Sequence, residues 1–253
     1  MSAAPNRGDI FLRFNGIDNY VEIPSSDDFS VSTVGELTVS AWLRPDVLNF
    51  PNWESTGYVH WIGKGETSQQ EWVFRMYNRD NTTETPERPN RISFYVFNPE
   101  GGLGVGSFFQ DPIKKGRWIH VAGVAGSAQT HIYRDGVHRR CDTYRGPAAG
   151  SCPIHKQSGS DEQLVINPQG GSAPVRIGTR DFGSFFKGGI RKVRMWSRVL
   201  HQDEIQELFA TDAVPPDGLV AEYLFDQDLG DVATDTAGGH DGTIFGAKWA
   251  KQS

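Results

Sequence analysis

Short segments of alternating hydrophobic and polar residues recur along this chain, and the alternation predicts β-strands. The turn sequences Asn15-Gly16 and Asp135-Gly136 mark reversals between strands, and the second is typical of a hairpin. Because no helix separates successive strands, the pattern predicts antiparallel sheets in a β-sandwich or jelly roll. The predicted strands occupy residues 10–14, 20–23, 37–43, 58–62, 71–77, 91–97, 118–125, 130–133, 163–166, 175–177 and 189–196.

One segment near the C-terminus has helical spacing instead. Ile205, Leu208 and Phe209 fall at positions i, i+3 and i+4, and Leu200 extends the same apolar series. No other segment shows this spacing over a comparable length. The sequence therefore predicts an all-β, antiparallel sandwich with one short helix directly after the strand at 189–196.

Composition and charge narrow the class of protein. The chain has 253 residues, of which 37% are hydrophobic, and this is enough for one large core. Its net charge of −6 and the lack of a Lys/Arg run argue against a nucleic-acid partner. The sequence shows neither an apolar run long enough to predict a membrane span nor the apolar stretch of a signal peptide at its start.

Two cysteines, Cys141 and Cys152, flank a loop rich in Gly, Pro and Ala. Their spacing allows a disulfide that closes this loop, while the alternative is two free thiols. A disulfide would favour an extracellular or cell-surface protein, although the chain shows no signal peptide.

Several segments resemble a known family. The strings LRFNGIDNYV (12–21), LTVSAWLRP (37–45), GRWIHVA (116–122) and IYRDG (132–136) occur in this order, followed by the strand and helix of 186–209. Together they resemble the bacterial laminin-G-like, concanavalin A-like domains, which are relatives of pentraxins and legume lectins. The resemblance covers roughly residues 10 to 210. It implies a jelly roll, but this fold carries lectins, glycosidases and lyases, so it does not choose among functions.

The C-terminal tail resembles the opening strands of such a domain, although it stands at the end of the chain. This likeness rests on residues 218–226 and 235–244. A segment of about 35 residues cannot bury a core alone. We therefore predict a single domain over 1–253, in which an extension at 214–250 pairs beside the first strand and completes the sandwich.

The strand faces indicate where a ligand could bind. In the strand at 71–77, Phe74 lies on an apolar side and Arg75 on the opposite side, and the strands at 91–97 and 130–133 alternate similarly. Aromatic rings can stack on sugars, and arginine and histidine donate hydrogen bonds to hydroxyls or carboxylates. The alternative is ordinary amphipathic strands whose long side chains reach the solvent. With two long loops at 47–57 and 78–90, the predicted carbohydrate-binding residues are Trp53, Arg75, Tyr77, Arg88, Tyr95 and His131.

The leading hypothesis is a non-catalytic, lectin-like module. A polysaccharide lyase is the first alternative, and it would use Arg75, Tyr77, Tyr95 and His131 as acid, base and charge-neutralising groups. A glycosidase is less favoured because the paired acids that it needs, such as Glu-x-Asp-x-x-Glu, do not occur. A protein-binding adhesion or assembly module is the third hypothesis. His120 is interpreted as a structural histidine, and the oligomeric state stays open.

The resemblance also implies calcium, which loop carboxylates, Asn and backbone oxygens would hold. The candidate ligands are Asn15, Asp18, Asp226, Asp235 and Asp241. The family's Gly-x-Ile-Asp-Glu-Val segment has Arg191 and Lys192 in place of its acids, so that part of a family-like site is missing. Aspartates beside glycines can instead cap turns.

Overall fold

A computed structural model describes residues 10–51, 56–82, 86–98 and 102–252. Within these ranges the chain forms sixteen strands and two α-helices, and a 3-10 turn lies at Asp27–Phe29. The strands are β1 (Ile10–Asn15), β2 (Tyr20–Ile23), β3 (Leu37–Pro45), β4 (Tyr58–Lys64), β5 (Trp72–Tyr77), β6 (Ile92–Phe97), β7 (Gly104–Phe109), β8 (Ile119–Ala125), β9 (Gln129–Arg134), β10 (Val137–Thr143), β11 (Val175–Ile177), β12 (Lys187–Trp196), β13 (Leu219–Tyr223), β14 (Val232–Ala233), β15 (Gly242–Phe245) and β16 (Lys248–Lys251). The helices are α1 (Val31–Val34) and α2 (Gln202–Thr211).

The strands form two antiparallel sheets, which confirms the predicted all-β sandwich. The first sheet has the order β10-β9-β8-β3-β12-β1-β16, and β13 also pairs with β12. The second sheet has the order β14-β15-β2-β11-β4-β5-β6-β7. Many neighbours in space are distant in sequence, as expected for a jelly roll.

One predicted strand is wrong. Residues 163–166 form no strand, and only an isolated bridge joins Gln163 to Lys156. The backbone N–H of Leu164 donates to the backbone carbonyl of His155, and that of Ile166 donates to the carbonyl of Tyr144. This segment therefore bonds to separate loop residues and not to one neighbouring strand. The strand β7 was missed because its glycines interrupt the apolar alternation.

The inner faces of the two sheets meet where Gly123 of β8 lies against rings of β5 and β6. A side-chain Cβ placed on Gly123 would lie 2.6 Å from Phe74 Cζ and 2.5 Å from Phe94 Cγ. Both rings are fully buried. Glycine at this position therefore lets two aromatic rings fill the space between the sheets at interior packing density.

The C-terminal extension contributes strands to both sheets. In the first sheet β16 pairs with β1, which places Ala250 opposite Phe11. In the second sheet β15 pairs with β2, which places Ile244 opposite Val21. Trp249 packs against the edge of the core. The tail thus borders the first two strands of the chain on both layers.

The helix α2 confirms the predicted helix and covers the outer face of the first sheet. Its residues Ile205 and Leu208 pack against Ala122 and Val124 of β8. His120 lies under the same helix with 1% of its surface exposed, and its ring centroid is 6.0 Å from that of Phe209. No helix in the described part of the chain is long and apolar enough to cross a membrane. Since α2 occupies one outer face, the outer face of the second sheet is the other broad surface of the sandwich.

The predicted disulfide is confirmed. Cys141 and Cys152 are bonded, with an S–S distance of 2.07 Å, and link β10 to the loop that follows it. Both cysteines are buried. The bond closes a loop with a sequence separation of 11 residues.

Replacing both Cys141 and Cys152 with serine should lower the free energy of unfolding by about 2–3 kcal/mol, because the crosslink restricts the unfolded chain. Urea titration by fluorescence measures this difference. The wild-type protein in reductant should lose a similar amount, whereas the double variant should not respond to reductant. Equal stability of the two proteins without reductant would contradict this prediction.

Burial of His120 lowers its pKa to about 3, and burial of His60 on β4 lowers its pKa to about 4. The unfolded chain therefore binds protons at a higher pH than the native protein, and stability should fall as the pH drops below about 6.5. We expect a loss of about 1.4 kcal/mol per pH unit for each histidine down to about pH 4.5.

The variant His120→Phe keeps a ring of similar size but cannot titrate, so its unfolding free energy should depend less steeply on pH. Urea titrations of both proteins across this pH range test the difference. Parallel pH profiles would show that His120 does not contribute.

Candidate ligand-binding face

A row of outward-facing side chains crosses the second sheet. Across β4, β5, β6 and β7 the register places His60 opposite Arg75, Arg75 opposite Ser93, and Ser93 opposite Phe108. Their sequence neighbour Phe74 points into the core, so these four side chains lie on the outer face. The arginine-aromatic face is defined here by residues of this outer surface and of its rim: Tyr58, His60, Arg75, Arg91, Ser93, Tyr95, Phe97 and Phe108.

Arg75 lies at the centre of this face among aromatic rings. Its guanidinium carbon is 4.6 Å from the ring centroid of Tyr58, 4.8 Å from that of Tyr95 and 5.2 Å from that of Phe97. The side chain is half-buried. No carboxylate among the described residues pairs with Arg75, and its Nε has no hydrogen-bond partner. Cation–π contacts thus hold a positive charge that no described acid neutralises.

Arg91 is a second cation on this face with a neutral partner. Its Nε and Nη2 donate to Oε1 of Gln110 at 3.0 and 2.9 Å. Its guanidinium carbon lies 3.8 Å from the ring centroid of Phe108. Burial and the nearby charge of Arg88 lower the pKa of Arg91. The crowded cations raise the electrostatic potential at this end of the face.

An arginine from the first sheet completes the rim. Arg140 of β10 places its guanidinium carbon 4.4 Å from the ring centroid of Phe108. Its Nε and Nη2 each donate to Asp142 at 2.7 Å, and His155 lies 2.8 Å from the same carboxylate. Although burial opposes the effect, the hydrogen bonds from His155 and Arg140 lower the pKa of Asp142. Arg140 is therefore neutralised by a carboxylate, unlike Arg75.

His60 is covered by the loop that precedes β12. Its Nδ1 lies 3.3 Å from Oδ1 of Asp181, and Arg180 in turn pairs with this carboxylate. Burial is the main cause of its low pKa of about 4, so the ring is neutral at neutral pH. The guanidinium carbon of Arg180 lies 5.5 Å from the ring centroid of Phe97. The loop thus borders the arginine-aromatic face and encloses the histidine.

Tyr77 and Tyr95 have different roles. Tyr77 is fully buried, and its hydroxyl accepts a hydrogen bond from Nη1 of Arg88 at 3.3 Å. Tyr95 is half-buried, and burial followed by the nearby Tyr77 raises its pKa, so the phenol stays protonated. Tyr95 can offer its ring to a ligand, whereas Tyr77 positions Arg88. Trp53 of the predicted set lies outside the described residues.

His131 does not join the predicted set, because it lies on the other sheet. It is opposite Val124 and Cys141, on the outer face of the first sheet. Its neighbour Ile132 points into the core, so alternation directs His131 away from the second sheet. Its Nδ1 is 3.3 Å from Nε2 of His138, and burial lowers its pKa to about 4. The four residues predicted for a lyase are therefore not assembled in one place.

Two of the predicted calcium ligands lie in the turn after β1, where they bond to each other. Asn15 Nδ2 donates to Asp18 Oδ1 at 2.8 Å. The Oδ1 atom of Asn15 accepts hydrogen bonds from the backbone N–H groups of Ile17 and Asp18. These contacts are those of a side chain that caps a turn.

The carboxylate of Asp235 is likewise occupied by N–H donors. It accepts hydrogen bonds from the backbone N–H groups of four residues, and these bonds lower its pKa against the effect of burial. The donors are Glu222, Ala237, Gly238 and His240. Asp241 accepts from the backbone N–H of Asp235 at 2.8 Å. This arrangement does not fit a calcium ion at Asp235, and it favours the turn-capping alternative.

Calcium at Asp226 and the other ligands stays a prediction. In the described part of the chain, one group of three His, Cys, Asp or Glu donors comes together, and it consists of His131, Cys141 and Cys152. Its two sulfur atoms form the disulfide. This group contains none of the predicted acids.

Sequence reasoning missed several residues of the face. Alternation along the predicted strand at 91–97 does place Arg91 on the same side as Tyr95, and alternation along β4 could have identified Tyr58 and His60. No local signal indicates Arg140 or Arg180, since one comes from the other sheet and the other from a loop.

Comparison with protein families identifies the class. The model of the concanavalin A-like lectin/glucanases superfamily, of the laminin-G type, matches residues 15–163, which is more than half of the chain. The protein therefore belongs to this superfamily, as the sequence resemblance predicted. A comparison with curated proteins found no match.

Known structures share the fold at low sequence identity. A candidate carbohydrate-binding protein from Bacteroides ovatus aligns with a TM-score of 0.61 and 17% identity, over 97% of this chain and 61% of that one. This chain thus spans about three fifths of that relative's length. A heptameric SAP-like pentraxin from Limulus polyphemus aligns with a TM-score of 0.52 and 12% identity, over 98% of this chain and 94% of that one.

Proposed function

We propose that this protein binds a glycan, without cleaving it, on the arginine-aromatic face of its second sheet. The observation that carries the proposal is the position of Arg75 on this face. Its half-buried guanidinium lies 4.6 Å from the ring centroid of Tyr58 and 4.8 Å from that of Tyr95. Rings and hydrogen-bond donors in one place match the two kinds of surface that a sugar presents.

The chemistry of sugar recognition fits these side chains. The apolar C–H face of a pyranose packs on aromatic rings, and its hydroxyls accept hydrogen bonds from fixed donors. Tyr58 and Tyr95 are half-buried, so each ring is held by its neighbours and retains exposed surface. Packing that holds the rings in place reduces the entropy lost when a ligand binds.

Similarity to other proteins supports the same function. The superfamily is named for lectins and glucanases, and the structural relative from Bacteroides ovatus is described as a candidate for carbohydrate binding. The disulfide between Cys141 and Cys152 supports the prediction of an extracellular or cell-surface location, where polysaccharides are found.

The geometry is less favourable to the lyase hypothesis. His131 is on the other sheet, and the hydroxyl of Tyr77 is engaged by Arg88. His60 lies near Arg75 in the central row, but only 1% of its surface is exposed. A general base must reach the proton that it removes, and neither histidine is placed to reach a polymer on this face.

Replacing Tyr95 with alanine should weaken binding to the polysaccharide that the protein retains by about tenfold, because a stacking ring is lost. Tyr95→Phe keeps the ring and should bind nearly as well as the wild type. Retention on immobilised polysaccharides and the chain length of the same samples should be measured together, with thermal unfolding as a check of folding.

Two results would contradict the proposal. Shortening of any polymer, abolished by Tyr95→Phe, would indicate a lyase that uses the phenol. Lack of retention by the wild-type protein across neutral and acidic polysaccharides would favour a protein-binding module.

A further inference from the structure

The arginine-aromatic face is positively charged on an acidic protein. The chain carries a net charge of −6, yet Arg75 and Arg91 share this face without a carboxylate partner among the described residues. Other arginines at its rim are neutralised, since Arg140 pairs with Asp142 and Arg180 with Asp181. The charges of Arg75 and Arg91 are therefore available to attract an anionic ligand, whereas those of Arg140 and Arg180 are already neutralised.

The two cations come from adjacent outward positions of neighbouring strands. Arg75 is directly opposite Ser93, and Arg91 precedes Ser93 by two residues on the same side of the strand. The Cα atoms of such diagonal neighbours in a sheet are separated by about 7–8 Å. The guanidinium carbon of Arg91 is also 5.9 Å from the ring centroid of Tyr77, which follows Arg75 by two residues. Arg91 therefore adds a second positive charge to the face that carries Arg75.

A half-buried cation without an acid is costly for the folded protein. Taking a charge out of water is unfavourable unless a partner compensates it, and aromatic rings compensate only in part. The Nε of Arg75 is buried without a hydrogen-bond partner, and the polar groups that stabilise the guanidinium are tyrosine hydroxyls and not carboxylates. An anion bound from solution would provide the negative charge that no described residue places beside Arg75.

We infer that the ligand of this face is an acidic glycan, and that Arg75 binds a uronic acid carboxylate of that glycan. This inference rests on the proposed glycan-binding function and adds the chemical class of the ligand. A guanidinium presents a planar fork that matches a carboxylate with two parallel hydrogen bonds. The rings of Tyr58 and Tyr95 hold this fork in place, and Arg91 strengthens the field.

Binding to polygalacturonate, alginate and hyaluronate, each beside its carboxyl-reduced form, tests the inference. Reduction of the carboxyl groups removes the charge and keeps a sugar polymer. We expect the wild-type protein to bind at least one acidic polymer about tenfold or more tightly than its reduced form. Isothermal titration calorimetry at constant ionic strength provides the affinities.

Single substitutions test whether Arg75 is responsible for the preference for the acidic polymer. Arg75→Gln should lose the preference for the acidic form, and Arg75→Lys should retain only part of it, because lysine keeps the charge without the fork. Arg117→Gln is the matched control, since Arg117 is exposed in the turn before β8 and its loss changes the net charge equally. This control should bind like the wild type. Thermal unfolding of each variant checks that it folds.

The outcomes separate this inference from the proposed function. Equal affinity for acidic and reduced polymers would overturn the inference and leave glycan binding intact. Binding to none of the acidic, reduced or neutral polysaccharides would overturn both. If Arg117→Gln weakened binding as much as Arg75→Gln, diffuse charge attraction would explain the affinity, and the assignment to Arg75 would be wrong.

Discussion

The contact on which the arrangement of the face depends is the packing of Phe74 and Phe94 against Gly123, in the space between the two sheets. Successive side chains of a strand point to opposite sides, so burying Phe74 directs Arg75 outward. The same register places Ser93 opposite Arg75 on the neighbouring strand. Core packing therefore determines the positions of the outward-facing groups, and a one-residue slip would exchange the two sets.

The two outer faces of the sandwich differ because α2 covers the outer face of the first sheet. The helix α2 buries Ala122 and Val124 of the first sheet and encloses His120, which is neutral there. The row at Arg75 is bordered by the loop that carries Asp181, which contacts His60. The guanidinium of Arg75 lies among aromatic rings, whereas other arginines of the protein, such as Arg140, pair with carboxylates.

Much of the fold could be predicted because the responsible signals are local. Alternation identifies the strands with large apolar residues, helical spacing identifies α2, and the cysteine spacing allows the observed disulfide. The failures have local causes as well. The strand β7 contains Gly104 and Gly106 and lacks a regular pattern, and residues 163–166 have strand-like composition but pair with loop backbone.

The sequence by itself determined the class of fold, the helix and the outward position of Arg75, Tyr77 and Tyr95, because these follow from the period of side chains along one element. Only the tertiary structure decided which outward groups share a face. It separates His131 from Arg75 by placing them on opposite sheets, and it buries Tyr77 completely. It also brings Arg140 from the other sheet to the rim. Proximity between strands that are distant in sequence depends on sheet order and loop path, and no single segment carries that information.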